Sequence, residues 1–242
     1  MKMRLDKLMS GTGLLSRTEC AKAARAGRIS VNGAVTKSAS VQIDPDADRI
    51  TLDGTEVSYR KYTYIMLNKP DGYVSATEDG RDPTVLELLP PELQRLSLFP
   101  CGRLDKHTTG MMLLTDNGPL GHRLLAPKSH VSKTYVFTSK FPISEQDVEA
   151  LEGGVPIEMK DGGSYLTAPA SVKITNEART AGEITLTEGK YHQIKFMLIA
   201  VHNQITSLSR KTFGPLSLDP MLKAGEWRFL TAEEIAALEA HG

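Results

Sequence analysis

Hydrophobic and polar positions follow two periods along the chain, and the switches between them mark the elements. Leu5, Leu8 and Met9 stand at helical spacing, and Ser16-Arg17-Thr18-Glu19 then reads as a capping box. In such a box the serine hydroxyl and the glutamate carboxylate satisfy free backbone donors at a helix start. The helix it opens is expected to run through Ala21, Ala23 and Ala24 and stop at Gly27. Period two takes over in Arg28-Ile29-Ser30-Val31-Asn32-Gly33-Ala34-Val35, where Asn-Gly between β-formers predicts a hairpin. Val41–Ile43 and Arg49–Leu52 predict two more short strands around the turn Asp44-Pro45-Asp46. The first 58 residues thus read as one α-α-β-β-β unit, and residues 59–62 as a short linker.

Beyond the linker, Tyr64 to Pro70 predicts a strand closed by a turn at Asp71-Gly72. A helix carrying Val85, Leu88 and Leu89 is expected to end at Pro90-Pro91. Met111–Leu114 reads as an apolar strand, and Asp116-Asn117-Gly118 turns into a helix through Leu120, Leu124 and Leu125. Thr134–Thr138 alternates as a strand, residues 144–152 form an acidic helix, and Gly153-Gly154 and Asp161-Gly162-Gly163 are turns. Short strands follow near 170–174 and 183–187, then a helix over Ile194–Val201. A last helix opens at Thr231-Ala232-Glu233-Glu234, with Glu233 as the acid of a displaced capping box. Strands outnumber helices without alternating regularly with them. The expected class is therefore α+β: a small N-terminal domain over 1–58, then a domain over 59–242 with a mixed, mostly antiparallel sheet.

Composition narrows the function classes. At 242 residues, with 40% hydrophobic and 24% charged residues, the chain is an ordinary globular one. A chain this long buries roughly 70–75% of its unfolded surface and needs no staples. Cys20 and Cys101 are too few for a disulfide framework or a cysteine-rich zinc site. No apolar run reaches the ~18–20 residues of a membrane span. The start, MKMRLDKLMS, lacks the apolar core of a signal peptide, so a cytoplasmic protein with reduced thiols is expected.

Net charge is zero, but its distribution is uneven. Residues 1–40 carry eight Lys or Arg against Asp6 and Glu19, whereas residues 141–188 carry nine acidic against three basic. Residues 103–140 are again basic, and residues 189–215 hold four basic side chains and no acid. Blocks of opposite sign suggest a basic face for a polyanion and an acidic back.

Chemistry concentrates in one stretch. The chain has no P-loop, no dinucleotide glycine pattern, no His-Glu-x-x-His and no Gly-x-Ser-x-Gly. His107, His122, His130, His192 and His202 lack metal-ligand spacing and fit polar or RNA-facing positions better. What remains is Gly102-Arg103-Leu104-Asp105-Lys106-His107-Thr108-Thr109-Gly110, a polar loop running into a buried strand. Loops held on rigid strands are where catalytic groups sit. Asp105 could equally cap the turn through Thr108 or pair with Lys106.

Two resemblances give these segments a meaning. The N-terminal α-α-β-β-β unit resembles the S4 RNA-binding domain, whose two helices present a basic surface to structured RNA. Arg4, Lys7, Arg17, Lys22, Arg25 and Arg28 would then contact phosphate, which reads RNA shape more than sequence. Gly102-Arg103-Leu104-Asp105, Thr108-Thr109-Gly110 and Thr115-Asp116-Asn117-Gly118 resemble the central motif of the RsuA family of rRNA pseudouridine synthases. Further matches follow in order: Lys133-Thr134-Tyr135, Glu188 to Lys195, Leu208-Ser209-Arg210 and Phe213-Gly214-Pro215.

The resemblance implies roles residue by residue. Asp105 would be the catalytic aspartate, which needs no cofactor because a carboxylate serves as nucleophile or base. Tyr135 would stack on the target uracil or move a proton, and Lys195 would pair with Asp105. Arg103 would fill the space left when the nucleotide turns out of its stack. Lys133, His192, Gln193 and Arg210 would contact RNA around the site. The chain departs from the family pattern at Phe196, where a second basic residue is usual, and at His202, where glycine is usual.

The expected substrate is 16S rRNA or a small-subunit assembly intermediate, and the protein is expected to be a monomer that involves no membrane. Alternatives are 23S rRNA, a non-catalytic S4-type assembly factor, and a glycoside hydrolase with Asp116 as second carboxylate. The last needs a carboxylate pair ~5–9.5 Å apart.

Overall fold

The computed structural model describes residues 2–158 and 162–241 and divides into two compact units. The first comprises the chain up to Thr63 together with Leu89–Leu98; the second comprises Tyr64–Leu88 and the chain from Phe99 onward.

In the first unit the local signals act as expected. Helices span Leu5–Gly11 and Arg17–Arg25, and the second carries a complete capping box between Ser16 and Glu19. The hairpin turns at Asn32 and Gly33, both at positive φ (52° and 81°), as a two-residue turn with right-handed strand twist requires. Two small sheets result: Ala34–Val35, Ile29–Val31, Ile50–Leu52 and Thr55–Glu56 in one, Met3–Arg4 with Gln42–Ile43 in the other. Their buried residues, among them Leu5, Leu8, Met9, Ile29 and Ile43, form one core with Cys20, Ala23 and Ala24. The unit continues past residue 58, because Tyr59 packs against this core. The Leu89–Leu98 segment joins it as well, with Arg95 donating to the Leu14 carbonyl and lying 3.7 Å from Glu19. Pro90 and Pro91 therefore do more than end a helix: Val85–Leu88 is a single 3₁₀ turn, and Pro91 opens a short helix to Gln94.

Among the described residues, the second unit is built on a nine-stranded sheet. Its main path runs Ser171–Ile174, Ala181–Leu186, Lys133–Ser139, Ile205–Phe213, Thr109–Thr115, Tyr64–Lys69, Trp227–Phe229. Every neighbouring pair on this path is antiparallel except Ile205–Phe213 beside Thr109–Thr115, which is parallel. Ile65, Met66, Leu67 and Met111 to Leu114 are fully buried. Such continuous apolar runs are what a strand covered on both faces needs.

Helices flank the sheet at Gly118–Leu125, Glu145–Gly153, Gln193–Ala200 and Ala232–Ala240. The last one corrects the sequence reading: Thr231 forms a regular capping box with Glu234, not Glu233. The strand Ile205–Phe213 is not apparent from alternation, because Arg210 takes one of its buried positions. Asp161, read as part of a turn, lies outside the described residues. No helix among the described residues is long and apolar enough to cross a membrane.

One glycine decides the sheet geometry beside the loop at 102–108. Gly110 adopts φ 97°, and a Cβ there would lie 2.3 Å from the Arg210 carbonyl oxygen and 2.6 Å from Ser209 Oγ. Gly110→Ala should therefore lose at least about 2 kcal/mol in chemical denaturation, combining backbone strain with a backbone clash. A variant with wild-type stability would mean that the two parallel strands separate freely here.

Candidate active site

The loop at 102–108 is pinned almost entirely through its backbone. Lys69, the last residue of the strand Tyr64–Lys69, is fully buried. Its ammonium donates to the carbonyls of Pro70 (3.1 Å), Lys106 (3.0 Å) and Thr108 (2.8 Å). Ser75 Oγ donates to the Leu104 carbonyl at 2.8 Å and accepts from the Leu104 amide at 3.0 Å. The Gly72 amide also donates to Lys106 O, and the Thr108 amide to Asp105 O. None of these hooks uses the Asp105 side chain, which stays available. Lys106 pairs instead with Asp82 at 2.6 Å, so neither the Lys106 partner nor a side-chain cap through Thr108 accounts for Asp105.

Asp105 turns toward the helix Gln193–Ala200. Lys195 Nζ donates to its Oδ2 at 2.7 Å, and His192 Nε2 lies 3.3 Å from its Oδ1. All three side chains are half-buried. The segment before this helix is fixed by Glu188, which accepts from Tyr165 Oη (2.7 Å), the Ala168 amide (2.9 Å) and the Gln193 side-chain amide. Gln193 Oε1 in turn accepts from the Lys190 amide at 2.9 Å.

Sheet register brings Tyr135 to the same end. Tyr135 pairs with Arg210, and Arg210 with Gly110, so the tyrosine lies two strands over from Gly110, just past the loop. It is 9% exposed. Arg103 is exposed beside Asp105.

The residues expected to meet RNA divide. Lys7, Arg17, Lys22, Arg25 and Arg28 are exposed on the first unit, with Arg28 paired to Asp53 and the exposed Arg4 to Asp6. Two others are corrected to interior roles. Arg210 is 1% exposed, donates to Met111 O at 2.7 Å and lies over the Phe213 ring, so it fastens two strands and cannot reach a phosphate. Gln193 is 4% exposed and spent on the Glu188 lock. Lys133 is half-buried, its ammonium bound to Val131 O at 2.8 Å and its pKa lowered by burial.

Sequence reasoning missed Lys69 and Ser75, and it gave Glu188, part of a matching segment, no role. A lysine ending an apolar strand looks like a surface residue, and only the tertiary fold closes three carbonyls around it. Burial pushes the Lys69 ammonium down to about 8. The unfolded chain keeps that proton to about 10.4, so between these values the unfolded state binds more protons and Lys69 makes stability rise with pH. Burial pushes the Cys101 thiol the other way, up to about 11, which makes stability fall over an overlapping range. Subtracting a Lys69→Met variant isolates the lysine. The wild-type-minus-variant unfolding free energy should climb from pH 8 to 10 by up to about 1.4 kcal/mol per unit. A flat difference would mean that Lys69 is not held dry.

No group of three His, Cys, Asp or Glu among the described residues is arranged to hold a metal ion. What fold and site define is a basic, S4-like unit joined to a sheet domain in which a loop carboxylate, Asp105, meets Lys195 and His192. Known proteins share both parts. Residues 63–200 match the family model of RNA pseudouridylate synthase, and residues 3–50 that of the S4 domain. The chain is 48% identical to the Bacillus subtilis (strain 168) protein named "Uncharacterized RNA pseudouridine synthase YtzG", with 98% of each chain covered. It is 37% identical to the ribosomal small subunit pseudouridine synthase A of Escherichia coli (strain K12), covering 98% of this chain and 100% of that one. A crystal structure of a pseudouridylate synthase superposes with a TM-score of 0.68 at 36% identity, covering 98% and 99% of the two chains.

The chain belongs to the RNA pseudouridylate synthase family and carries an S4 domain ahead of the catalytic fold. It is a pseudouridine synthase, an isomerase.

Proposed function

We propose that this enzyme converts one uridine of 16S rRNA to pseudouridine, with Asp105 as the catalytic carboxylate. The observation that carries the chemistry is the Asp105–Lys195 pair, 2.7 Å long and joining residues 90 apart in sequence at the end of the central sheet. The isomerisation breaks the N1–C1′ bond of uridine and forms a C5–C1′ bond; C5 gives up a proton and N1 gains one. Atoms and electrons balance within the nucleotide, so the reaction calls for no cofactor. Asp105 acts on the nucleotide as nucleophile or base, and both roles need an ionised carboxylate. Tyr135 offers an aromatic face to the displaced uracil. Arg103, exposed and next in line, takes the gap in the RNA stack. Extruding a nucleotide costs a few kcal/mol, least where it is already unpaired.

The choice of RNA rests on relatives named ribosomal small subunit pseudouridine synthase A, at 36–39% identity over nearly the whole chain. The exposed basic helix Arg17–Arg25 supplies phosphate contacts for the substrate, free rRNA or an assembly intermediate. A monomer working in the cytoplasm, where ribosomes are built, fits this role.

Purified enzyme incubated separately with 16S and 23S rRNA from cells lacking it should form one pseudouridine in 16S and none in 23S. Modification of 23S alone would reverse the assignment.

A further inference from the structure

We propose that His192 is a positioning residue for the reaction, holding Oδ1 of Asp105 through Nε2 while Lys195 holds Oδ2. The inference rests on Asp105 being the catalytic carboxylate. Three observations carry it. The first is geometric: the two contacts, 3.3 Å and 2.7 Å, reach different oxygens of one carboxylate. A carboxylate held through one oxygen can swing about its own bond; one held through both presents a fixed face. Catalytic hydrogen bonds are often long without substrate and tighten when it binds.

The second observation is backbone strain. His192 sits at φ 51°, ψ 26°, in the left-handed region. A non-glycine residue there is strained and persists only where its surroundings impose it. Here they do. The Glu188–Gln193 lock fixes the residues on either side, and the His192 carbonyl accepts from the Phe196 amide at 3.1 Å.

The third is the setting of the ring. Tyr191 stacks on it at 3.8 Å with planes 19° apart, and Phe196 lies 6.1 Å away at 39°. The imidazole plane is thereby fixed, with Nε2 toward Asp105. His107 makes a useful contrast: it pairs with Asp71 in an exposed position, without ring neighbours among the described residues. Misplacing a reacting group by ~1 Å can cost about 10²-fold in rate, so fixing the Asp105 face has consequences for turnover.

Tritium release from rRNA labelled at uridine C5, taken from cells lacking this protein, reports the reaction directly, because C5 exchanges its hydrogen for the C1′ bond. Four variants are compared. His192→Phe keeps a stacking plane but has no donor. His192→Asn tolerates the left-handed backbone but is too short to reach Oδ1. His192→Gln can reach with its amide. Asp105→Asn tests the underlying reading.

The Phe and Asn variants should each lose ~10–100-fold in rate at saturating RNA, with half-saturation within about twofold of wild type. The Gln variant should recover most of that rate. Wild-type rate in His192→Asn would reduce His192 to a backbone role, and a defect only in half-saturation would make it an RNA contact; either overturns the proposal. Should His192→Phe fail to fold, the Asn–Gln comparison carries the test alone. Turnover by Asp105→Asn would instead sink the role of Asp105, a distinct failure.

Discussion

Replacing Asp105 by Asn should abolish pseudouridine formation, by at least ~10⁴-fold at saturating RNA, the scale on which enzymes lose rate when a reacting group is removed. Fold and RNA affinity should stay within about twofold of wild type, for a reason visible in the loop. Residues 104–108 are held by Lys69, Ser75 and backbone amides, and none of those bonds ends on the Asp105 side chain. Asn keeps the shape and can still accept from Lys195, but it can neither attack carbon as a carboxylate nor take a proton. Lys195 is half-buried, so its unpaired charge can turn to water instead of unfolding the helix. Single-turnover kinetics with a thermal melt on the same sample would check both halves. A fully folded but active variant would remove Asp105 from the mechanism.

The second large effect lies in the S4 domain. Changing Arg17, Lys22 and Arg25 together to Ala should weaken rRNA binding markedly and lower the log-log salt slope by roughly 2–3, since each lost phosphate contact removes about 0.7–0.9. The rate at saturating RNA should hold, because the reacting groups belong to the other unit. The helix should survive as well. Its capping box uses Ser16 and Glu19, and its buried face is Cys20, Ala23 and Ala24. Substituting these three is a cleaner test than deleting residues 1–58, which would strip Leu89–Leu98 of the unit it packs with. Binding measured across a salt series decides the matter; an unchanged slope would make the basic helix a solvated face.

How far the sequence carried each part follows from where the information lies. The first unit was legible because its signals are local. Two capping residues, an Asn-Gly turn and short apolar runs specify helices and hairpin without distant help. The strand Ile205–Phe213 was not, because a buried Arg210 interrupts the apolar alternation that would reveal it. The same burial removes Arg210 from the RNA contacts that the family resemblance implied, and Gln193 leaves them for the same reason. Glu234 sits at the regular third position of the last helix, one place beyond Glu233, the acid read as the partner of the Thr231 cap.

Asp105 stood out as a polar residue leading into an apolar strand, but nothing in spacing linked it to Lys195. That pairing came only through family resemblance. Lys69 carried no signal at all, because its three carbonyl partners come together only when the strand and the loop are folded.

The central claim is that this chain, through Asp105, makes a pseudouridine in 16S rRNA. Its most direct test is to map pseudouridines in rRNA from cells lacking the protein, complemented with wild type or with Asp105→Asn. One position in 16S rRNA should lose the modification on deletion, regain it with wild type, and stay unmodified with Asp105→Asn expressed at equal level. A 16S pattern unchanged by deletion, or restored by the Asn variant, would contradict the account.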